Sequence, residues 1–450
     1  MNYIFLLFFN TFLHGQIINN TISLFSMNKK VIILILLLLI AVLVAINFDN
    51  IRSNLRTYLP NDVKIYVKEI FFGKQYIKEV KTYRLSNYNQ KSLPETQFES
   101  VNLKKIELNL DTTDNIYYNK LKGSPKKLKK FFLEFIGDDL IAVSYNGKTQ
   151  IIEDLKNPRA KEINTNLKES DISSVLDVAY INDEIFIATS NYRNGTIDCT
   201  YFELLKAKFN KINLEFNKIY ETDVCLKSTK GGRIHDYTHK SIRGILLTMG
   251  ASEVSENKLA QVDDSPYGKI LFLNLKGDLI ETFSKGHRNP QGLLIENNVI
   301  LATEHGPYGG DEINKISYGG NYGFPIASYG DVYNFKKISS KRENYIFEKN
   351  HKKNNFIEPI FAFVPSIGIS EIIKVPKNFS KYWDNNYIVT SLNGRSIFRM
   401  KFDENFTKIQ FYEKIFIGER IRDIKYSKLL NSFILALEES GSLGILSSQQ

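Results

Sequence analysis

The sequence predicts an all-β protein, and a six-bladed β-propeller is the economical architecture. Three observations lead there. From Val63 onward, short runs alternate apolar and polar residues, and Asn, Asp, Gly or Lys break them about every 8 to 12 positions, as in sandwiches, barrels and propellers. The stretch from Ser174 to Asp223 supplies about four such runs in succession, the content of one propeller blade. The roughly 390 residues beyond the hydrophobic N-terminus divide into about six units of that size. Similarity between units is too faint to count as an internal repeat, and periodicity alone leaves a sandwich open.

Residues 1–48 read as a signal or anchor region. Lys29 and Lys30 precede an unbroken apolar run from Val31 to Ile46, a little short of the ~20 residues that span a bilayer but extendable through Phe48. Positive residues ahead of the run predict a cytoplasmic start and export of the chain beyond it, to a bacterial-type periplasm or the cell exterior. No clear small-x-small cleavage site ends the run, which favours an uncleaved inner-membrane anchor over a removed signal peptide. The segment before Met27 lacks a basic start of its own; either it is a second membrane-seeking segment or, the favoured reading, Met27 is the initiator. Residues 49–62 are polar and read as a spacer, and residues 63–450 as the propeller. Its strand runs include KKIELNLD, FFLEFIGDDLIAVSYNGKTQIIEDL, SVLDVAYINDEIFIATSNY and CTYFELLKAKFNKINLEFNKIYETD.

The chain has 450 residues, of which 43% are hydrophobic, enough to bury a large core and to argue against disorder. The net charge of +10 comes from dispersed lysine, which is ordinarily a solvated surface. No basic helix or reader module accompanies it, so nucleic acid is not an expected partner, whereas weak attraction to anionic lipid fits the apolar N-terminus. Two cysteines, Cys199 and Cys225, fit neither CxxC redox chemistry nor zinc. In an exported chain they are either a disulfide between neighbouring strands or two unrelated buried thiols.

One stretch, Gly286 to Pro325, is too rich in glycine and proline for an ordinary hairpin. In its GHRNPQG segment Arg288 offers a planar fork for a carboxylate, and the amides of Asn289 and Gln291 can both donate and accept. An acidic planar ligand suits that set; a loop staple with Arg288 on local carbonyls is the alternative. Further on, Glu304, Asp311, Glu312 and Asn314 are hard oxygen donors in a glycine-rich turn, and bent backbone at Gly306 and Pro307 can aim carbonyls at an ion. Calcium is the natural guest, and a solvated acidic turn the alternative.

These segments resemble the glucose/sorbosone dehydrogenase family of soluble quinoproteins. The family runs GxRNPQG into EHGPxGGDExN and GxNYGWP; this chain reads GHRNPQG, EHGPYGGDEIN and GGNYGFP, with Phe324 where tryptophan is usual. Weaker matches are KGGRI, YGKILFLNLKGD, FVPSIGIS and GERIRDI, so the resemblance covers roughly Ser174 to the C-terminus. The resemblance implies a six-bladed propeller that carries pyrroloquinoline quinone over its central channel, with calcium polarising the quinone, and oxidises a sugar or polyol hydroxyl. It places Arg288, Asn289, Gln291, Arg420 and Arg422 on the cofactor, backbone oxygens of Gly306 and Pro307 on its calcium, and Asp311 and Glu312 at a structural calcium.

The catalytic centre departs from the family. The histidine of HxGGR, the general base, is Thr229 here, and its partner aspartate is Ala251; neither can do that work near neutral pH. Asn393 stands where a cofactor-contacting lysine is common. Substitute bases are sought among His235 and His239, which come after KGGR, while His305 sits in the EHGP loop. Two readings therefore stand: an anchored, exported sugar dehydrogenase with a displaced base and an unidentified electron acceptor, or a non-catalytic propeller that binds an acidic small molecule, a glycan or a protein. Calcium-dependent hydrolysis would need inward carboxylates converging on one central ion, whereas along the sequence the acidic residues cluster in one loop.

Overall fold

The computed structural model describes residues 101–108, 128–251, 257–331 and 347–448. The chain partitions into two units, Met1–Ile77 and Lys78–Gln450, and every described residue belongs to the second. The expected anchor, the spacer and the boundary at residue 63 lie outside the described residues. Among the described residues no helix is long and apolar enough to cross a membrane.

Six sheets, each built on four antiparallel strands, form a six-bladed propeller. The innermost strands, in chain order, are Phe131–Ile136, Ile172–Ile181, Gly231–His239, Pro290–Glu296, Ile369–Lys374 and Ile421–Ser427. Each packs against the next, and the last returns to the first, so they close a ring around the central channel. Blade 2 runs from Ile172 to Glu221 as four strands, in agreement with the unit expected from Ser174 to Asp223. Blade 6 is completed from the other end of the propeller: Val101–Glu107 pairs antiparallel with Ser442–Ser448, with Val101 opposite Ser448. That pairing ties the two ends of the ring together and leaves no unpaired gap between first and last blades.

A sandwich would have one core between two sheets. Here the apolar residues collect in six main clusters, one for each seam between neighbouring blades. Phe132, Ile141 and Val143 of blade 1 meet Val175, Ile185 and Ile187 of blade 2. Phe131 and Leu140 of blade 1 meet Ile434 and Leu443 of blade 6 at the closing seam. The strands are buried on both faces, which explains why runs such as FFLEFI and GILLTM read more continuously apolar than simple alternation would give.

Of the two readings left open for the cysteines, the structure has the disulfide. Cys199 and Cys225 are bonded, with Cα atoms 5.0 Å apart, and they join the third strand of blade 2 to the segment that leads into blade 3.

Candidate functional site

The inner strands carry a buried charge network whose centre is Arg233 of the KGGR segment. Gly231 and Gly232 both have positive φ, and a Cβ at Gly232 would lie 2.3 Å from that of Leu176, so only glycine lets this strand enter so close to blade 2. The guanidinium of Arg233 spans the channel. It donates to Asp177 Oδ1 of blade 2 at 2.9 Å and to the carbonyl of Gln291 of blade 4 at 2.6 Å. It also lies 3.1 Å from Glu371 of blade 5 and 3.8 Å from Asp423 of blade 6. Beside it Lys425 pairs with Glu134 of blade 1 at 2.9 Å.

Inward carboxylates therefore do converge on the axis, contrary to the expectation that the acidic residues gather in one loop. The cations they meet are side chains of this protein, Arg233 for Asp177, Glu371 and Asp423 and Lys425 for Glu134. The four acids come from four different blades, and sequence spacing carries no information about that juxtaposition.

At the mouth of the channel the segments singled out by sequence come together. Arg422 Nη1 donates to Gln291 Oε1 at 3.0 Å, and Gln291 Nε2 donates to Asn289 Oδ1 at 2.8 Å. Asn289 Oδ1 also accepts the Gly231 N–H at 3.2 Å, which brings the HxGGR-like segment alongside. Glu438 takes Arg422 Nε on one oxygen at 2.5 Å and Arg420 Nε on the other at 2.9 Å. Arg420, which immediately precedes the strand Ile421–Ser427, and Arg422 within it thus reach one carboxylate from the same side, as their alternation suggests. Sequence reading missed Glu438, which lies just past the next strand and belongs to no motif.

Arg288 is both ligand candidate and staple. Its Nη1 donates to the carbonyl of His305 at 2.9 Å, and its guanidinium lies 6.0 Å from the ring of Phe324, the residue that replaces tryptophan. Its backbone N–H bonds Glu304, whose carboxylate also takes the N–H of Asn289 at 3.2 Å and faces His287 Nδ1 at 3.1 Å. Glu304 therefore fixes the GHRN backbone.

His305 stands beside the arginines. Burial, then the charges of Arg288, Arg422 and Arg420, draw its pKa down to about 4 against the pull of Asp311, so the imidazole is neutral at pH 7. His235 and His239 do not reach this site. At ~3.3 Å per residue they stand about 13 and 26 Å along the strand from Gly231. His235 Nδ1 meets the carbonyl of Asp236 at 2.9 Å. His239 meets Glu281 at 2.9 Å and packs among Phe272, Phe283 and Tyr318. This corrects the search for a substitute base there: the strand that begins at the site carries both histidines away from it. Thr229 is buried with its hydroxyl on Ser190 Oγ, and Ala251 is fully buried.

The acidic loop divides into two roles. Asp311 is saturated by backbone, accepting from Gly306 at 3.1 Å, Ile367 at 3.0 Å and Ile369 at 2.9 Å. It ties the EHGP turn to the FVPSIGIS segment and has little left for a metal, which corrects its assignment as a ligand. A Cβ on Gly306 would lie 2.0 Å from the carbonyl oxygen of Gly310, so this bend requires glycine. Glu312, by contrast, accepts from Asn314 Nδ2 at 3.4 Å and from the backbone N–H of Tyr329, and the buried Asn314 Oδ1 has no hydrogen-bond partner. Burial and then Glu304 push the Glu312 carboxyl well above its ordinary range. Glu304 and Glu312 line a small cavity with Arg288, His305, Gly306 and Tyr322. Two buried carboxylates and an orphaned amide oxygen fit a hard divalent cation such as calcium.

The arginine cluster likewise fits an acidic cofactor. Arg288, Arg420 and Arg422 all act on His305, Glu438 pairs the last two, and the amides of Asn289 and Gln291 lie between the motifs. A planar ligand carrying several carboxylates matches that donor set in charge and in geometry.

Comparison with known proteins agrees with this arrangement. The family described as Glucose / Sorbosone dehydrogenase matches residues 175–445. The aldose sugar dehydrogenase YliI of Escherichia coli is 29% identical over 185 residues, 40% of this chain and 46% of that protein. Quinoprotein glucose dehydrogenase B of Acinetobacter calcoaceticus is 28% identical over 195 residues, 31% of this chain and 41% of its own length. The matched segments thus span less than half of these curated relatives. Among solved structures, the soluble aldose sugar dehydrogenase of Escherichia coli in its apo form overlays with a TM-score of 0.61 at 19% identity, covering 78% of this chain and 100% of that one. The PQQ-bound aldose sugar dehydrogenase of Streptomyces coelicolor gives 0.55 at 16% identity, covering 79% and 100%. At such identities the likeness is one of fold. With the family matched over more than half of its length, and with that family's motifs assembled at one end of the channel, this chain belongs to the glucose/sorbosone dehydrogenase family.

Proposed function

We propose that this protein is a quinoprotein sugar dehydrogenase, with Arg288, Asn289, Gln291, Arg420 and Arg422 holding pyrroloquinoline quinone and Glu304, Glu312 and Asn314 holding calcium beside the carbonyls of Gly306 and Pro307. The observation that carries the reading is the convergence of three arginines from two distant motifs, joined through Gln291. When bound, the cofactor supplies a two-electron acceptor for hydride from the carbon that bears the sugar hydroxyl. The chain's own residues bind its carboxylates, hold its plane through the Gln291 and Asn289 amides, and leave the proton to be taken up nearby.

His305 is the histidine that the geometry offers for that proton. A base held near 4 accepts a proton reluctantly at neutral pH, so turnover is slow by the standard of a general base matched to its working pH. The anchor of residues 1–48 and an exported location belong to the same proposal and rest on the Lys29–Lys30 pair ahead of the apolar run.

The second reading, a non-catalytic propeller that keeps the pocket for an acidic ligand, is favoured by Thr229 and Ala251. Titration of the purified protein with pyrroloquinoline quinone and calcium, followed by aldoses and a dye acceptor, separates the two. Saturable binding with sugar-dependent dye reduction, lost in Arg288→Ala, supports the dehydrogenase. Binding without reduction supports the second reading, and absence of binding at high micromolar cofactor ends both as stated.

A further inference from the structure

Building on the sugar-dehydrogenase reading, we propose that the sugar is anionic, an aldose bearing a carboxylate or phosphate, and that Lys130 and Lys230 at the channel mouth receive its charged group.

Lys130 immediately precedes the inner strand of blade 1. Its ammonium donates to Ser174 Oγ at 2.9 Å and to the carbonyl of Val175 at 3.3 Å, and lies 5.3 Å from the ring of Phe132. Among the described residues no carboxylate lies within ion-pair distance of it. Lys130 is half-buried, and withdrawing an ammonium from water without a paired charge is costly. Burial, then the charge of Arg422, accordingly hold its pKa well below the ordinary lysine range; Glu438 acts the other way, and Lys230 and Arg233 add to the depression. Glu438 cannot be its partner, since both carboxylate oxygens are engaged by Arg420 and Arg422.

Lys230 comes directly after Thr229, the position of the family's base, and so borders the place where the sugar hydroxyl is oxidised. Its carbonyl accepts the Gly250 N–H at 2.9 Å, the neighbouring Ala251 N–H bonds the carbonyl of Arg288 at 2.8 Å, and the Gly231 N–H reaches Asn289. The lysine therefore stands between the lost catalytic pair and the cofactor arginines, and its charge is felt at Lys130.

The electrostatic balance of the mouth points the same way. Arg422, Lys230 and Arg233 all act on Lys130 with Glu438 opposing them, while the charge of Arg233 below is already met by Asp177, Glu371 and Asp423. An acidic cofactor neutralises the arginines and leaves the half-buried ammonium of Lys130 still without an ion-pair partner among the described residues. A neutral sugar gains little from that ammonium, and the catalytic positions offer its hydroxyls no carboxylate, because Thr229 is bonded to Ser190 and Ala251 is apolar. An anionic sugar supplies the counter-charge that Lys130 lacks.

The test compares glucose, glucuronate and glucose 6-phosphate with the full-length protein loaded with cofactor and calcium, and again without them, reading ligand binding by thermal shift and turnover by dye reduction. The expected result is binding of one acidic sugar at least tenfold tighter than glucose, a preference that shrinks as salt rises and disappears in Lys230→Gln while cofactor affinity stays. Which acidic sugar wins tells carboxylate from phosphate. Equal binding of glucose, or a Lys230→Gln variant that loses cofactor affinity and keeps the sugar preference, overturns the inference. Acidic-sugar binding that depends on Lys230 with no dye reduction keeps the inference about the ligand and removes the dehydrogenase.

Discussion

Arg422 places its Nε 2.5 Å from Glu438 Oε1, and Arg420 reaches the other oxygen of the same carboxylate at 2.9 Å. The pair of arginines that the RIRD segment announces is thus held by an acid that no motif contains. Burial works to raise the Glu438 pKa, but the two guanidiniums and their hydrogen bonds prevail and hold it at about 2.

Acid stability depends on that relationship. A carboxyl whose folded pKa is depressed contributes stability that is fully present above its unfolded pKa near 4.5 and is lost as pH falls through about 2. In Glu438→Gln the pH dependence between 4.5 and 2 flattens, and stability at neutral pH drops by roughly 3 kcal/mol. Chemical denaturation of both proteins at a series of pH values measures it; parallel curves would show that Glu438 is not the group responsible.

Arg233 is predicted to be the costliest single residue of the channel. Replacing it by methionine removes the charge and strands Asp177, Glu371 and Asp423 without their cation, and breaking a buried pair in this way costs about 3–5 kcal/mol. The melting temperature of Arg233→Met should fall by several degrees and recover partly at lower pH, where the carboxyls are protonated. A melting temperature equal to the parent's at pH 8 would refute the hub.

Asp311 and Glu312 are adjacent in sequence and separable by experiment. Asp311→Asn weakens a carboxylate that serves three backbone N–H groups, each such charged hydrogen bond being worth about 1.5–3 kcal/mol, and so lowers stability while calcium affinity holds. Glu312→Gln does the reverse, with calcium binding reduced about tenfold or more and the metal-free protein no less stable. Calcium calorimetry paired with thermal melts reads both, and a common effect of the two changes would contradict the division.

The disulfide encloses a separation of 26 residues, for which the chain-entropy relation gives about 3.5 kcal/mol. It also pins the segment that delivers Thr229 and Lys230 to the channel mouth. Reduction, or Cys199→Ser with Cys225→Ser, should lower the melting temperature and leave the fold intact, because six apolar seams remain. An unchanged melt on reduction would show that the segment is held by its backbone bonds to Thr200 alone.

The sequence by itself determined the class of fold and the segments that meet at the channel mouth. Period-two patterning and regular turn spacing are local properties, and GHRNPQG, EHGP and RIRD are contiguous, so both survive in a one-dimensional reading. The alternation of Arg420 and Arg422 was consistent with a shared side, and both meet Glu438. The departure from the family's pattern at Thr229 and Ala251 was equally plain.

Only the tertiary structure decided what those segments meet. Asp177, Arg233, Glu371 and Asp423 converge because blades wrap around an axis, and residues on different inner strands become neighbours without any regular separation along the chain. Glu438 and Lys130 were invisible for the same reason, since a charged residue at a strand end looks like any solvated one until burial removes its water. His235 and His239 are close to the site in sequence, yet an extended strand advances ~3.3 Å per residue and carries them down the channel. Asp311 read as a metal ligand by its type, and its backbone partners, two of them more than 50 residues away, made it a staple instead.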